Sequence, residues 1–321
     1  MSAQLGPPPV GGDQFGATGQ LTAMWVLTGI STVFFAARLY SRSVYLRRLG
    51  LDDGVIGLSV VLNIVDCIVT QIACHYGVGR HAYYLTLSEL SQSLKYLLIL
   101  QAFGIMASVV PKLGVAILII NIVGTSNRGR WIFYFASIFL IMFGALNCIF
   151  LFAQCSPPRA IWEFDLTHTC WKSSVLVNYS IFVGSYSGFL DLAFAIFPVT
   201  LFWNLQMKLK RKIVLCVVMG LGVIASICAF IKVSKLKLIA KEDPTWSPLN
   251  LFVWAGVEIN VIIICACVPT LRPLIDAIFN KPWPTSNRLT GDDIALVAKG
   301  STRSQKSITS QNGPKYSEQL P

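Results

Sequence analysis

Apolar runs too long for any element of a soluble domain recur seven times in this chain, and that recurrence limits its fold more than any other feature. They extend approximately over Leu21–Tyr40, Gly54–Ile72, Tyr96–Val123, Trp131–Ala153, Val175–Trp203, Ile213–Ile239 and Leu249–Leu271, which makes them 19 to 29 residues long. A helix rising about 1.5 Å per residue crosses a hydrocarbon layer of about 30 Å in about 20 residues. Backbone N–H and C=O groups in lipid need partners within their own segment, which selects helices over an open sheet. The expected fold class is therefore all-α: a polytopic seven-transmembrane helix bundle. Charged residues make up only 13% of the chain, about half of the roughly 25% usual in soluble domains, in keeping with that reading.

The net charge of +11 raises the question of a nucleic-acid partner. The basic residues are spread over short loops and the C-terminal segment and form no single basic face, so topology accounts for them and no nucleic acid is expected. With seven spans, the loops around 41–52, 124–130 and 204–212 share a side with the C-terminal segment. That side holds Arg42, Arg47, Arg48, Arg128, Arg130, Lys208, Lys210, Arg211 and Lys212. The opposite side has an N-terminal stretch without Lys or Arg and loops with Arg80, Lys95, Arg159, Lys172 and Lys241, with Lys235 and Lys237 near a helix end. Positive charge favours the cytoplasm, which gives an N-terminus outside and a cytoplasmic C-terminus, with the lysines at 232–241 as the main dissent. The expected organisation is a short extracellular tail at 1–20, a membrane domain at 21–275 and a disordered cytoplasmic tail at 276–321. No cleaved signal peptide is expected from the first 20 residues.

Between the first two spans, the stretch "RRLGLDDG" reads as a cytoplasmic turn. Arg47 and Arg48 anchor the end of the first helix at the headgroups, and Asp52 and Asp53 cap the second. On the outer side, "QCSPPRAIWEFDLTHTCW" has Cys155 and Cys170 at its ends, and an oxidising compartment favours a disulfide between them, with Cys74 as an alternative partner. His75 and His81 flank two glycines in "CHYGVGRH"; a tight turn explains the glycines, and no metal site is expected. The sequon at Asn178 falls at the start of the fifth span and is expected to be unused.

Ionisable groups at membrane depth are the strongest functional candidates, because each costs about 2.5 to 3.5 kcal/mol at a helix centre unless compensated. There are five: Asp66, Lys112, Asp191, Lys232 and Glu258. Lys112 and Asp191 have matching depth and opposite sign, which predicts a pair. Asp66 and Glu258 share depth and sign, so adjacency would demand a proton or a cation between them. Lys232 either snorkels outward or neutralises Glu258. Structural and ligand- or ion-binding roles both remain open for this set. Pro111, Pro198 and Pro269 are expected to bend the third, fifth and seventh helices.

As a set, "ARLYSR" at 37–42, "LGLDD" at 49–53, "GVGRH" at 77–81, "QCSPPRAIW" at 154–162, "LDLAFAIFPVTLFWNLQM" at 190–207, "DPTW" at 243–246 and "VEINVIIICACVPTLRPL" at 257–274 resemble the fungal rhodopsin-domain family. That family includes pathogenicity-receptor-like membrane proteins of filamentous fungi and a membrane protein of the satratoxin cluster. The resemblance implies a seven-helix, receptor-like membrane protein. Retinal is not expected, since a Schiff base needs a lysine in the middle of the seventh helix and Leu249–Leu271 has none.

The resulting expectation is a receptor-like, multi-pass protein, in the plasma membrane rather than an internal one, that binds an unknown small molecule or lipid. The basic run Lys208, Lys210, Arg211 and Lys212 would contact a cytoplasmic signalling protein or anionic lipid. A transporter or ion pathway using the intramembrane acids is the rival. No enzyme is expected, for want of a nucleophile–base arrangement, and no cofactor.

Overall fold

The computed structural model describes residues 16–47, 49–123, 127–167, 169–202, 209–239, 245–271 and 274. Within them lie seven long helices: α1 (Ala17–Tyr40), α2 (Leu51–His75), α3 (Leu87–Val123), α4 (Asn127–Ala153), α5 (Ser173–Phe202), α6 (Leu209–Ile239) and α7 (Ser247–Cys267). All seven are long and apolar enough to cross a membrane. A π-helical turn, Ser41–Leu46, extends α1, and a 3-10 turn at Val268–Leu271 ends α7 around Pro269. The C-terminal segment expected to be disordered, and Lys208, lie outside the described residues.

Neighbouring helices pack in chain order, α7 closes the ring against α1, and α3 also touches α5 and α7. Hence α3 and α7 are the most enclosed: 61% and 56% of their most apolar windows are buried, against 17% to 39% in the others. Large apolar side chains such as Val33, Trp131, Ile132 and Phe189 face outward, while Arg38, Lys112, Asn63, Asn260 and Glu258 are fully buried. Apolar surface outside and polar groups inside is the arrangement a lipid solvent selects, since only the interior offers partners to a charge.

Three local features position the interior. First, α3 begins nine residues before the apolar run predicts. Thr86 and Glu89 form a capping box there: the Thr86 N–H donates to the Glu89 carboxylate at 2.9 Å, and the Glu89 N–H donates to Thr86 Oγ1 at 3.3 Å. The polar turn that follows, with Ser91, Ser93 and Lys95, hides the start from a hydropathy reading.

Second, Gly77 and Gly79 have φ of 111° and 95°, left-handed values open to glycine, and they turn the chain from α2 to α3 as expected. This loop is tied down by Gly79 N–H to Thr245 O at 3.0 Å and by stacking of His81 on Trp246 at 4.4 Å.

Third, α5 carries Gly184 and Gly188 in the spacing small-xxx-small, which lets helices approach closely in lipid. A Cβ on Gly184 would lie 2.7 Å from Val233 Cγ2, and one on Gly188 would lie 3.3 Å from Ala229 Cβ. On the same helix Ser187 and Asp191 accept from Lys112 of α3.

Between α4 and α5, β1 (Cys155–Ser156) and β2 (Thr169–Cys170) pair antiparallel, with Cys155 opposite Cys170. These two cysteines are joined in a disulfide, and Cys74, the alternative partner, is a free and buried thiol.

Candidate functional site

Four of the five intramembrane ionisable residues meet in one place. Lys112 of α3 donates to Asp191 Oδ2 of α5 at 2.6 Å, to Glu258 Oε1 of α7 at 2.8 Å and to Ser187 Oγ at 2.5 Å. An ammonium has three N–H donors, so Lys112 is saturated. Lys232 of α6 reaches the second carboxylate oxygen of Glu258 at 2.5 Å. Two ammonium and two carboxylate groups thus form a charge-balanced quartet linking α3, α5, α6 and α7. Lys112 and Glu258 are completely buried, whereas the Lys232 side chain keeps 15% of its surface exposed. Mutual pairing with saturated hydrogen bonds is the condition under which buried charges are tolerated.

Asp66 does not join them. It is buried on α2, its Oδ1 has no hydrogen-bond partner among the described residues, and it faces Gly104 of α3, where a Cβ would lie 3.4 Å from that oxygen. Both oxygens of Glu258 are taken by lysines, so the shared proton or cation that adjacency to Asp66 would have demanded is not called for.

Beside the quartet, a cavity of about 210 Å³ opens between α3, α4, α5, α6 and α7. Its walls are mostly aliphatic, from residues such as Ile105, Val183, Leu251 and Phe252, with polar points at Gln101, Ser108, Asn147, Ser180, Ser187 and Lys232. Lys232 belongs to both structures, and Ser187, which accepts from Lys112, stands beside it in the wall: the edge of the ionic quartet is a wall of the cavity. An apolar enclosure with a few convergent polar groups is the usual form of a small-molecule site.

The acids of the turn between α1 and α2 have partners that the sequence reading missed. Asp53 accepts from Gly50 N–H at 3.0 Å, as a cap should, but Asp52 and Asp53 also pair with Arg38 and Arg42. Arg42 lies 2.7 Å from Asp52 and 2.8 Å from Asp53, and Arg38 lies 2.8 Å from Asp53. Arg38 also donates to Ala266 O of α7 at 2.5 Å, so the cluster ties α1 and α2 to the end of α7. The available signal was the spacing Arg38–Arg42, one helical turn apart at the end of an apolar run.

A neutral network was equally missed. Ser31 donates to Asn260 Oδ1 at 2.6 Å, and Asn63 donates to the same oxygen at 3.0 Å and to Thr28 Oγ1 at 3.2 Å, joining α1, α2 and α7. Lys210, Arg211 and Lys212 fall in the first turn of α6. No cluster of three or more His, Cys, Asp and Glu side chains suited to a metal occurs among the described residues.

Comparison with known proteins gives relatives of low identity and broad coverage. The chain is 24% identical over 265 residues to "Fugralins biosynthesis cluster protein 2" of Gibberella zeae, covering 79% of this chain and 64% of that protein. It is 25% identical to a "SAT4 family membrane protein" of Emericella nidulans, covering 67% of this chain and 54% of that one. To "Polyenoic acids biosynthesis gene cluster protein Ba17b" of Metarhizium anisopliae it is 25% identical, covering 79% and 72%. The chain thus spans 54% to 64% of the length of the first two. No solved structure matches it. The model of the fungal rhodopsin domain matches residues 37–277, all the way from the Arg38 cluster to the end of α7, and this multi-pass membrane chain belongs to that family.

Proposed function

We propose that this chain is a receptor-like membrane protein that binds a small amphiphilic molecule in the cavity between α3 and α7. The single observation that carries the reading is the shared wall: of the residues that would touch a ligand, Lys232 is a member of the quartet that holds four helices together, and Ser187 accepts a hydrogen bond from its central Lys112. A ligand there acts directly on the pairing of α6 with α7, and a change in that pairing is what a receptor passes across a membrane. The names of two similar proteins, which refer to biosynthetic clusters for fugralins and polyenoic acids, support a small-molecule ligand.

In this reading the N-terminus faces outside, the C-terminus faces the cytoplasm of a plasma membrane, and the segment with Lys208, Lys210, Arg211 and Lys212 meets anionic lipid or a signalling protein. The test is thermal unfolding of the purified full chain with octanamide as a probe. The expected result is a concentration-dependent rise in Tm that disappears in Ala255→Phe, which fills the cavity. No rise, or a rise unchanged by Ala255→Phe, rejects the reading.

One observation favours a second reading, an ion or proton pathway: the buried Asp66 oxygen without a partner. Vesicle uptake abolished by Asp66→Asn, with folding intact, would establish that reading in place of the first.

A further inference from the structure

A lysine in the wall of an apolar cavity ordinarily suggests an anionic ligand. The surroundings of Lys232 argue the reverse. Its ammonium is 2.5 Å from Glu258, and Glu258 in turn is held by Lys112, which also neutralises Asp191. The quartet sums to zero charge before any ligand arrives. A carboxylate at Lys232 would be a third anion facing two cations in an interior of low dielectric, where an uncompensated charge is least tolerated. A cationic ligand has no better place, because the wall carries no carboxylate.

The wall does offer hydrogen-bond donors. Among the described residues Lys232 makes one bond, to Glu258, which leaves two N–H groups for the cavity. Asn147 accepts from Ser180 through Oδ1 at 3.0 Å, which leaves its amide N–H groups to the same space. By proportion with a 150 Å³ cavity that holds benzene, 210 Å³ encloses about eight non-hydrogen atoms, most of a ten-atom amphiphile, and since the cavity is not sealed a larger ligand extends out of it.

We infer that the cavity takes an uncharged amphiphile, with a short apolar body and a hydrogen-bond-accepting head such as an amide or ester carbonyl, and discriminates against the corresponding carboxylate. The inference rests on the ligand-binding reading above and adds the charge of the ligand to it. A free amide and the ester head of a lipid share this chemistry.

Octanamide, monooctanoylglycerol and octanoate differ in the head and share the chain, so they separate these cases. Each is titrated against the detergent-solubilised full chain at pH 7.5, with thermal unfolding as the readout and Ala255→Phe as the reference for binding outside the cavity. Octanamide or monooctanoylglycerol is expected to reach half-maximal shift at a concentration at least tenfold below that of octanoate, and the stronger of the two identifies the source.

Glu258→Gln removes one anion and leaves the quartet with a net positive charge, so octanoate should gain at least tenfold relative to octanamide. Asp191→Asn makes the same change in charge from α5 and serves if Glu258→Gln does not fold; if neither folds, the wild-type ratio decides. Equal or tighter binding of octanoate to the wild type, abolished by Ala255→Phe, would overturn this inference and leave the cavity as the ligand site. An unchanged ratio in both charge variants would overturn it as well. Absence of any cavity-dependent shift with all three probes would remove the ligand-binding reading itself.

Discussion

Replacing Lys112 by Gln removes the central cation of the quartet and strands Asp191, with Glu258 left to Lys232 alone. Breaking a buried pair from one side costs about 3 to 5 kcal/mol, so Lys112→Gln should lower Tm and yield sharply. Adding Asp191→Asn restores charge balance, because Lys232 and Glu258 remain paired at 2.5 Å. The double variant is therefore expected to be more stable than Lys112→Gln alone, measured by thermal unfolding in detergent. If the double variant is the less stable of the two, balance of charge is not what holds the four helices. A charge swap, Lys112→Asp with Asp191→Lys, is a poorer test, because it sets a new carboxylate beside Glu258, which the wild-type lysine contacts at 2.8 Å.

Residues of this kind were legible in the sequence because a charge in an apolar run must have a compensating partner. Asn63 and Asn260 were not legible: they are neutral and weakly costly, and nothing in a hydropathy pattern separates them from packing residues. Arg38 was overlooked because it lies near the end of its run, where snorkelling is the ordinary expectation, whereas it is fully buried and turned toward α7.

At the level of elements, the close contact of α5 with α6 depends on Gly184 and Gly188. A leucine at position 188 would drive its side chain into Ala229 and Phe230. Overpacking costs about 1 to 3 kcal/mol, and here it also displaces Ser187 and Asp191 from Lys112. Gly188→Leu is accordingly expected to lower Tm and to weaken cavity-dependent binding of octanamide, whereas Gly188→Ala, whose Cβ would sit 3.3 Å from its neighbours, should fold with a smaller loss. Equal behaviour of the two variants would show that the glycine spacing is incidental. The capping box gives a milder effect: Thr86→Ala should cost about 1 kcal/mol, readable as a drop of a few degrees in Tm. Helix existence was plain from the apolar runs. Helix ends were not, because the first turn of α3 is polar and its signal is a four-residue cap, and because α1 continues through a π turn that carries Arg42 to the acids of α2.

For the whole molecule, the disulfide and the distribution of basic residues bear on one question, which side faces the cytoplasm. Seven crossings put the Cys155–Cys170 hairpin on the side of the N-terminus and the turn with Arg47 on the other. Disulfides persist in oxidising compartments, and lysines and arginines collect on the cytoplasmic side, so two independent tendencies favour the same orientation. A membrane-impermeant maleimide should therefore label Thr167→Cys, in the exposed hairpin loop, on intact cells, and should label Arg47→Cys only after permeabilisation. The reverse pattern would invert the orientation and place the basic residues at the start of α6 outside the cell. Labelling of both sites on intact cells would mean an even number of crossings between them, which the three helices α2, α3 and α4 do not allow. Loss of the disulfide in Cys170→Ser is expected to cost about 3 kcal/mol through the freed loop, so the labelling comparison keeps that bond intact and reads orientation without disturbing the fold.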